Sequence, residues 1–423
     1  MSQRTIVIEP SGRSQGGMPL GQELRRNITL RRWRGTLYRT LLLSSVVIGL
    51  AVLMVLLFDV VNTSAGYVAV QNRVEPEQLT GGRPLQELEK DELVAILREN
   101  VSAGLFRRLE RDQPFAERPA ENVLALVRER VVREETVATW SLTQSLLDRA
   151  AIEAQVAEEF PGARVQWRSW INSEFLLNPM ASVPAFAGVR TAILGSLWMI
   201  LITILDAFPI GVGAAIYLEE YAGRGRINRM IQTNINNLAG VPSIIYGMLG
   251  LAIFVRALEP FTSGSLFGVT GSNGRTILAA SLTMALLILP LLIINGQEAI
   301  RAVPLSLRQA SYALGATKWQ TTWHHVLPQA FPGILTGTIL ATSRAIGETA
   351  PLIVIGASTF IVSDPNGPFS KFTPLPIQIY NWTQQPQEQF RVVAAAAIIV
   401  LLLMLLTLNS VAVVLRNRFK RSM

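Results

Sequence analysis

QASYALGATKWQTTWHHVLPQAFPGILTGTILATSRAIGETAP occupies residues 309–351. Its first half, to about residue 330, is too interrupted by charge and imidazole to span a bilayer. Its second half is a long apolar run that carries Arg344 and Glu348. On insertion scales each such charge costs roughly 2.5–3.5 kcal/mol or more at the centre of a membrane helix, so these residues seldom stand there without a role. A short helix-forming segment next to a charged membrane helix points to a chain that moves a solute and is pushed from one side.

The surrounding composition agrees with a membrane chain. Half of the 423 residues are hydrophobic, too many for an ordinary soluble domain of this length. The formal charge of +8 is unevenly spread. Residues 59–189 hold 20 acidic and 14 basic side chains, whereas the rest of the chain holds 10 acidic and 24 basic ones. The bases flank apolar runs, which is the positive-inside pattern and argues against a nucleic-acid partner. Cysteine is absent, which excludes disulfides and thiolate metal sites.

From the N-terminus, residues 1–39 read as a mostly disordered cytoplasmic basic tail. Residues 40–58 lack charge and are long enough to cross, given about 20 residues per span. Thr63-Ser64-Ala65 has the small residues of a signal-peptidase site, but the apolar run is too long for a signal peptide, so a retained anchor is favoured. Residues 59–189 form a separate α-rich extracytoplasmic insert, with short strands near Tyr67–Val70 and within 164–175, and with Trp167 and Trp170 as core residues. Five more spans follow at 191–218, 230–255, 276–295, 334–361 and 392–415. The second breaks near Pro209 and the third at Ala239-Gly240-Val241-Pro242-Ser243. Arg224, Arg226 and Arg229 mark one cytoplasmic loop, 298–331 another, and 416–423 the cytoplasmic C-terminus. The expectation is an all-α polytopic membrane protein of the bacterial cytoplasmic (inner) membrane, with six transmembrane helices and both termini inside.

Gln309-Ala310-Ser311, then Gly315, then Leu327-Pro328 resembles the EAA loop of ABC importer permeases. That loop reads Glu-Ala-Ala, three residues, Gly, nine residues, Ile, one residue, Leu-Pro; here Gln309 replaces Glu and His325 replaces Ile. The longer strings RQASYALGATKWQTT and ILTGTILATSRAIGETAPL resemble the phosphate-transporting subfamily of the PstA type, over about 194–382. The resemblance implies a permease core at 190–415 whose cytoplasmic loop docks on an ATPase through residues 306–319. Gln309, Ala310, Ser311, Ala313, Gly315, Leu327 and Pro328 would form that coupling loop. The implied partners are a second permease of the PstC type, two copies of an ATPase of the PstB type, an extracytoplasmic phosphate-binding protein of the PstS type, membrane lipid, and inorganic phosphate as solute. No G-x-x-x-x-G-K-[ST] loop is present, so ATP and magnesium belong to the ATPase and this chain is expected to be non-catalytic, with no cofactor of its own.

Arg344 and Glu348 are four apart, hence on one helix face. They form either a mutually neutralising structural pair or a substrate site, in which Arg344 offers its fork to a phosphate oxyanion while Glu348 compensates it when empty. In the resembling subfamily this helix lines the path; Thr342, Ser343 and Thr349 are nearby polar groups. Asp206 serves either function or the backbone donors freed near Pro209. His324 and His325 are adjacent, so they point about 100° apart on a helix and make a poor metal pair. Two other readings stay open: a permease for sulfate, molybdate or tungstate, and a membrane sensor that binds a ligand in the 59–189 segment.

Overall fold

A computed structural model describes residues 22–72, 74, 79, 83–112, 114–132, 134–223, 225–269, 273–357, 360–361 and 363–421. Residues 1–21 of the expected tail, and Arg224 of the expected cytoplasmic loop, lie outside the described residues. By packing the chain divides into residues 1–59 and 60–423.

The first unit is built on the helix Gln22–Ser64, which runs on into the second. Residues 22–39, expected to be disordered, are therefore helical. The Arg and Leu residues there are good helix formers, and their charge does not oppose a helix that continues into an apolar run.

In the second unit a three-stranded antiparallel sheet comes first, in the order β2-β1-β3. β1 is Ala65–Asn72, β2 is Glu134–Thr139 and β3 is Arg164–Ser169. Val68 pairs with Thr139 on one side and Gln166 on the other. β1 and β3 fall where strands are expected, whereas β2 is a third strand in the part of the insert expected to be α-rich. Trp170 is buried, but Trp167 is half exposed at 49% and packs edge-on to Tyr67 at 5.3 Å.

The sheet is not a module of its own. Val68 and Val70 share one core with Trp170, Phe175, Leu375, Trp382, Phe390 and Val393. Gln378 donates to the Gly188 carbonyl at 2.9 Å, and Arg190 pairs with Asp364 at 3.0 Å. Residues 65–189 are thereby joined to the last two helices, Leu375–Thr383 and Glu388–Arg421. A smaller satellite core of Leu93, Leu97, Phe115, Val123 and Val127 stabilises the helices Lys90–Asn100 and Ala120–Val127.

The helix Ile277–Arg301 is the centre of the remaining bundle and is buried over 67% of its most apolar window. It packs along Arg190–Ile216 on one side and Leu327–Gly347 on another. Small residues permit the approach: a Cβ on Gly296 would stand 2.8 Å from the Ala215 Cβ, and one on Gly337 2.5 Å from the Asn295 Cβ. Such close packing is what holds helices together where lipid removes the hydrophobic driving force.

Among the described residues four helices are long and apolar enough to cross a membrane, or five if one bent pair is a single span. That pair, Arg226–Ala239 and Ser243–Ala257, is bent by 104° at the expected Gly-Val-Pro break. The second span, by contrast, continues unbroken through Pro209; a proline removes one intrahelical bond, which a packed membrane helix can tolerate. The expected fifth span is not among these helices. It is divided into Leu327–Gly347 and Ala350–Ile355, with Glu348 and Thr349 at the division.

Candidate functional site

Two regions hold the residues singled out in the sequence. The first is the loop after the central helix. The helix Leu305–Ala313 ends in a tight turn: Gly315 N–H donates to the Tyr312 carbonyl at 2.9 Å and Ala316 N–H to the Ser311 carbonyl at 3.2 Å. These are the two bonds of a Schellman cap, which requires a left-handed residue, and Gly315 has φ +82°. Apart from its two chain neighbours, no atom among the described residues lies within 4 Å of the place of its missing Cβ. Gly315 therefore serves the turn and not close packing. Gly315→Ala is expected to cost about 1–2 kcal/mol locally and to raise hydrogen exchange at the amides of position 315 and Ala316, the two donors of the cap; unchanged exchange would contradict the assignment.

After the turn, Thr317 and Gln320 form a reciprocal capping box, and the chain enters Leu327–Gly347 through Thr322–Val326. Ser311 and Thr321 meet at 2.8 Å in a buried hydroxyl pair that closes the hairpin. Gln309, Ala310 and Ala313 lie on its exposed side. Leu327 instead packs toward Ala215, Ile300 and Val326, and Pro328 stands in the first turn of the next helix. The expected loop residues thus divide between an outward surface and an anchoring core. The outward surface is apolar: Leu314 is 90% exposed, and Trp319 and Trp323 stack at 5.4 Å with both rings accessible. His324 contacts the Gln320 carbonyl through Nδ1 at 3.1 Å, and both histidines are exposed.

One anchor was not legible in the motif. Arg308 donates through Nη2 to Glu220 at 2.9 Å, and also to the carbonyls of Val303 at 2.6 Å and Ile300 at 2.9 Å. Both side chains are buried, at 13% and 7% exposure. Beside them Arg301 forks onto Glu219 at 2.9 and 3.2 Å. The available signal was Glu219-Glu220, two acids ending an apolar run where the charge pattern calls for bases.

The second region is the division in the charged helix. Arg344 lies in the last turn of Leu327–Gly347, where the helix dipole favours a cation. Glu348 is already extended, with φ −77° and ψ 119°. The pair is therefore not on one continuous helix, yet Arg344 Nε still reaches Glu348 Oε1 at 3.2 Å. Among the described residues both terminal guanidinium nitrogens are uncommitted, and the side chain is 42% exposed. A guanidinium held by one nitrogen and open at the other two can take a bidentate oxyanion. Thr349 accepts backbone bonds from Leu352 and Ile353 at 3.1 Å but makes no side-chain cap. Gly247 packs over the next turn, since a Cβ there would lie 2.6 Å from the Pro351 Cα. Asp206 is not brought to either region's hydrogen bonds; its Oδ2 is buried without a partner among the described residues.

Residues 207–423 match the family described as "Binding-protein-dependent transport system inner membrane component". The probable ABC transporter permease protein YqgI of Bacillus subtilis is 34% identical over 211 residues, which cover 49% of this chain and 67% of that protein. Phosphate transport system permease protein PstA 1 of Mycobacterium tuberculosis is 36% identical over 230 residues, 54% of this chain and 70% of that protein. Phosphate transport system permease protein PstC of Xylella fastidiosa is 35% identical over 184 residues, 40% of this chain and 56% of that protein.

Proposed function

We propose, from the premise that this chain belongs to the binding-protein-dependent transport system inner membrane component family, that it is the permease subunit of an ATP-driven phosphate importer. It supplies half of a translocation path and receives force from an ATPase subunit. The observation that carries the reading is the Arg344 fork, which is charged, accessible and held by a single carboxylate contact at a helix division. The relatives named for phosphate transport support the choice of solute. The apolar outer surface of the 305–323 hairpin is the proposed ATPase contact, with Gln309, Ala310 and Ala313 beside it. A second permease, two ATPase copies and a phosphate-binding protein complete the assembly. In this arrangement ATP and magnesium sit on the ATPase, and this chain carries out no chemistry itself.

The test is ATP-dependent uptake of labelled phosphate by the reconstituted complex, with sulfate, molybdate or tungstate in excess. Phosphate uptake that those anions leave unchanged is expected; displacement by one of them assigns the related oxyanion instead. Failure to co-purify with an ATPase would favour a sensor.

The segment 59–189 is proposed to be extracytoplasmic, because its acidic excess lies between basic flanks. Protease added to intact spheroplasts is expected to cleave within it and to spare the N-terminal tail. Protection of the segment would reverse the topology.

A further inference from the structure

We propose that a groove between three helices of the bundle seats an anionic phospholipid of the leaflet on the hairpin side. One acyl chain lies between the helices and the phosphate lies on Arg416. The groove measures about 330 Å³. Arg190–Ile216 lines it with Ile204 and Phe208, Leu327–Gly347 with Leu335 and Ile339, and Glu388–Arg421 with Leu408 and Leu415. From Leu408 to Leu415 it extends about 10 Å along the helix axis.

Its lining chemistry selects a hydrocarbon chain. Among the described residues no Asp, Glu, Lys or Arg lines it. Of its few polar members, Thr338 donates to the Ile334 carbonyl at 2.9 Å and Asn409 accepts from Ser343 at 2.8 Å. A water molecule held there would need several polar partners, and a charged solute more. A lipid tail is as apolar as the lining itself. Thr342 lies at the far end of the groove. It and Arg344 are two residues apart, hence about 200° apart around the helix, so the chain braces the back of the helix that presents Arg344.

The mouth of the groove selects the head group. Arg416 follows Leu415, and its Nη1 donates to the Thr336 hydroxyl at 3.3 Å, which places the guanidinium beside Leu335. Its Nη2 donates to Asn417 Oδ1 at 3.3 Å. Both contacts are long and both partners are neutral, and among the described residues Arg416 has no ion pair. Arg418 is exposed two residues on, and Lys420 and Arg421 follow in sequence. A phosphodiester gains charge-assisted bonds from such a guanidinium, and basic clusters at the ends of membrane helices attract anionic lipid. The apolar groove and the basic mouth meet at adjacent residues, so one amphiphile satisfies both. Free phosphate would satisfy only the mouth, and an apolar helix only the groove.

The test is photolabelling of the complete transporter. It is reconstituted in phosphatidylcholine vesicles with a trace of phosphatidylglycerol that carries a diazirine in one acyl chain, then illuminated and mapped by peptide mass spectrometry. Labelling within 335–342 and 408–415 is expected, and photoreactive phosphatidylcholine at the same fraction should label these segments about tenfold less. Arg416→Gln should bring the phosphatidylglycerol signal down to that lower level. Ala412→Phe, which fills the groove and keeps Arg416, should remove the signal from both lipids. Equal labelling by the two lipids in wild type, or Arg416→Gln labelled like wild type, overturns the head-group site. Labelling that survives Ala412→Phe overturns the seat of the chain. A wild type labelled by neither lipid also overturns the proposal, and assigns the groove to a membrane helix of this chain or of the second permease. Should Arg416→Gln fail to assemble, the ratio of the two lipids in wild type decides.

Discussion

Arg344→Gln is expected to abolish phosphate uptake, by about a hundredfold or more, while the complex still assembles. The size follows from the chemistry removed. Hydrogen bonds to charged groups contribute about 1.5–3 kcal/mol each, so losing a charged donor pair aimed at an oxyanion costs roughly 3 kcal/mol. Assembly is expected to survive because Arg344 is accessible and makes a single side-chain bond among the described residues, to Glu348. Its loss leaves no network open, and Gln is cheaper to keep inside a membrane than a guanidinium. Glu348→Gln should be milder. Glu348 competes with the arriving phosphate for Arg344, so its removal should tighten the site and slow release more than it blocks entry. Uptake by Arg344→Gln near the wild-type rate would show that the fork does not touch the solute.

Glu220→Ala is expected to have the next largest effect, of the opposite kind: assembly fails before transport can be measured. The carboxylate is 7% exposed and its partner Arg308 13%. Removing one member of a buried pair strands the other, at about 3–5 kcal/mol. Arg308 would keep its bonds to the carbonyls of Ile300 and Val303, but its charge would be uncompensated beneath the hairpin. The expected outcome is loss of ATPase co-purification and a lowered unfolding temperature in detergent. Arg308→Met combined with Glu220→Leu should recover part of the unfolding temperature, because neither charge is then stranded. Wild-type ATPase association by Glu220→Ala would mean that the hairpin is seated by other contacts.

These two outcomes separate what the sequence reveals from what it hides. Arg344 and Glu348 stand out because charge inside an apolar run is costly, and that signal survives without coordinates. Their spacing nonetheless suggested one helix face, and the chain breaks between them. Pro351 follows in the first turn of the next helix, so a division just before it is the behaviour that a proline imposes. The hairpin was legible as a motif through Gly315 and Leu327-Pro328, though Gly315 proves to be a turn residue. Arg308 and Glu220 were hidden because they lie 88 residues apart, and no periodicity links positions so distant. β2 was missed for a related reason. Its first two residues, Glu134-Glu135, look like part of a solvated helix face, and only pairing with β1 over a long separation makes the segment a strand. The sheet's shared core with Trp382 and Phe390 depends on the same long-range packing.

The most direct test of the central claim, that phosphate passes Arg344, is uptake by the double variant Arg344→Gln with Glu348→Gln in the fully assembled complex. The two neutral side chains leave no stranded charge, so assembly and ATPase association should match wild type. If Arg344 receives the solute, this transporter assembles and carries no phosphate. Uptake restored to the wild-type rate would contradict the account and reduce the pair to a structural ion pair.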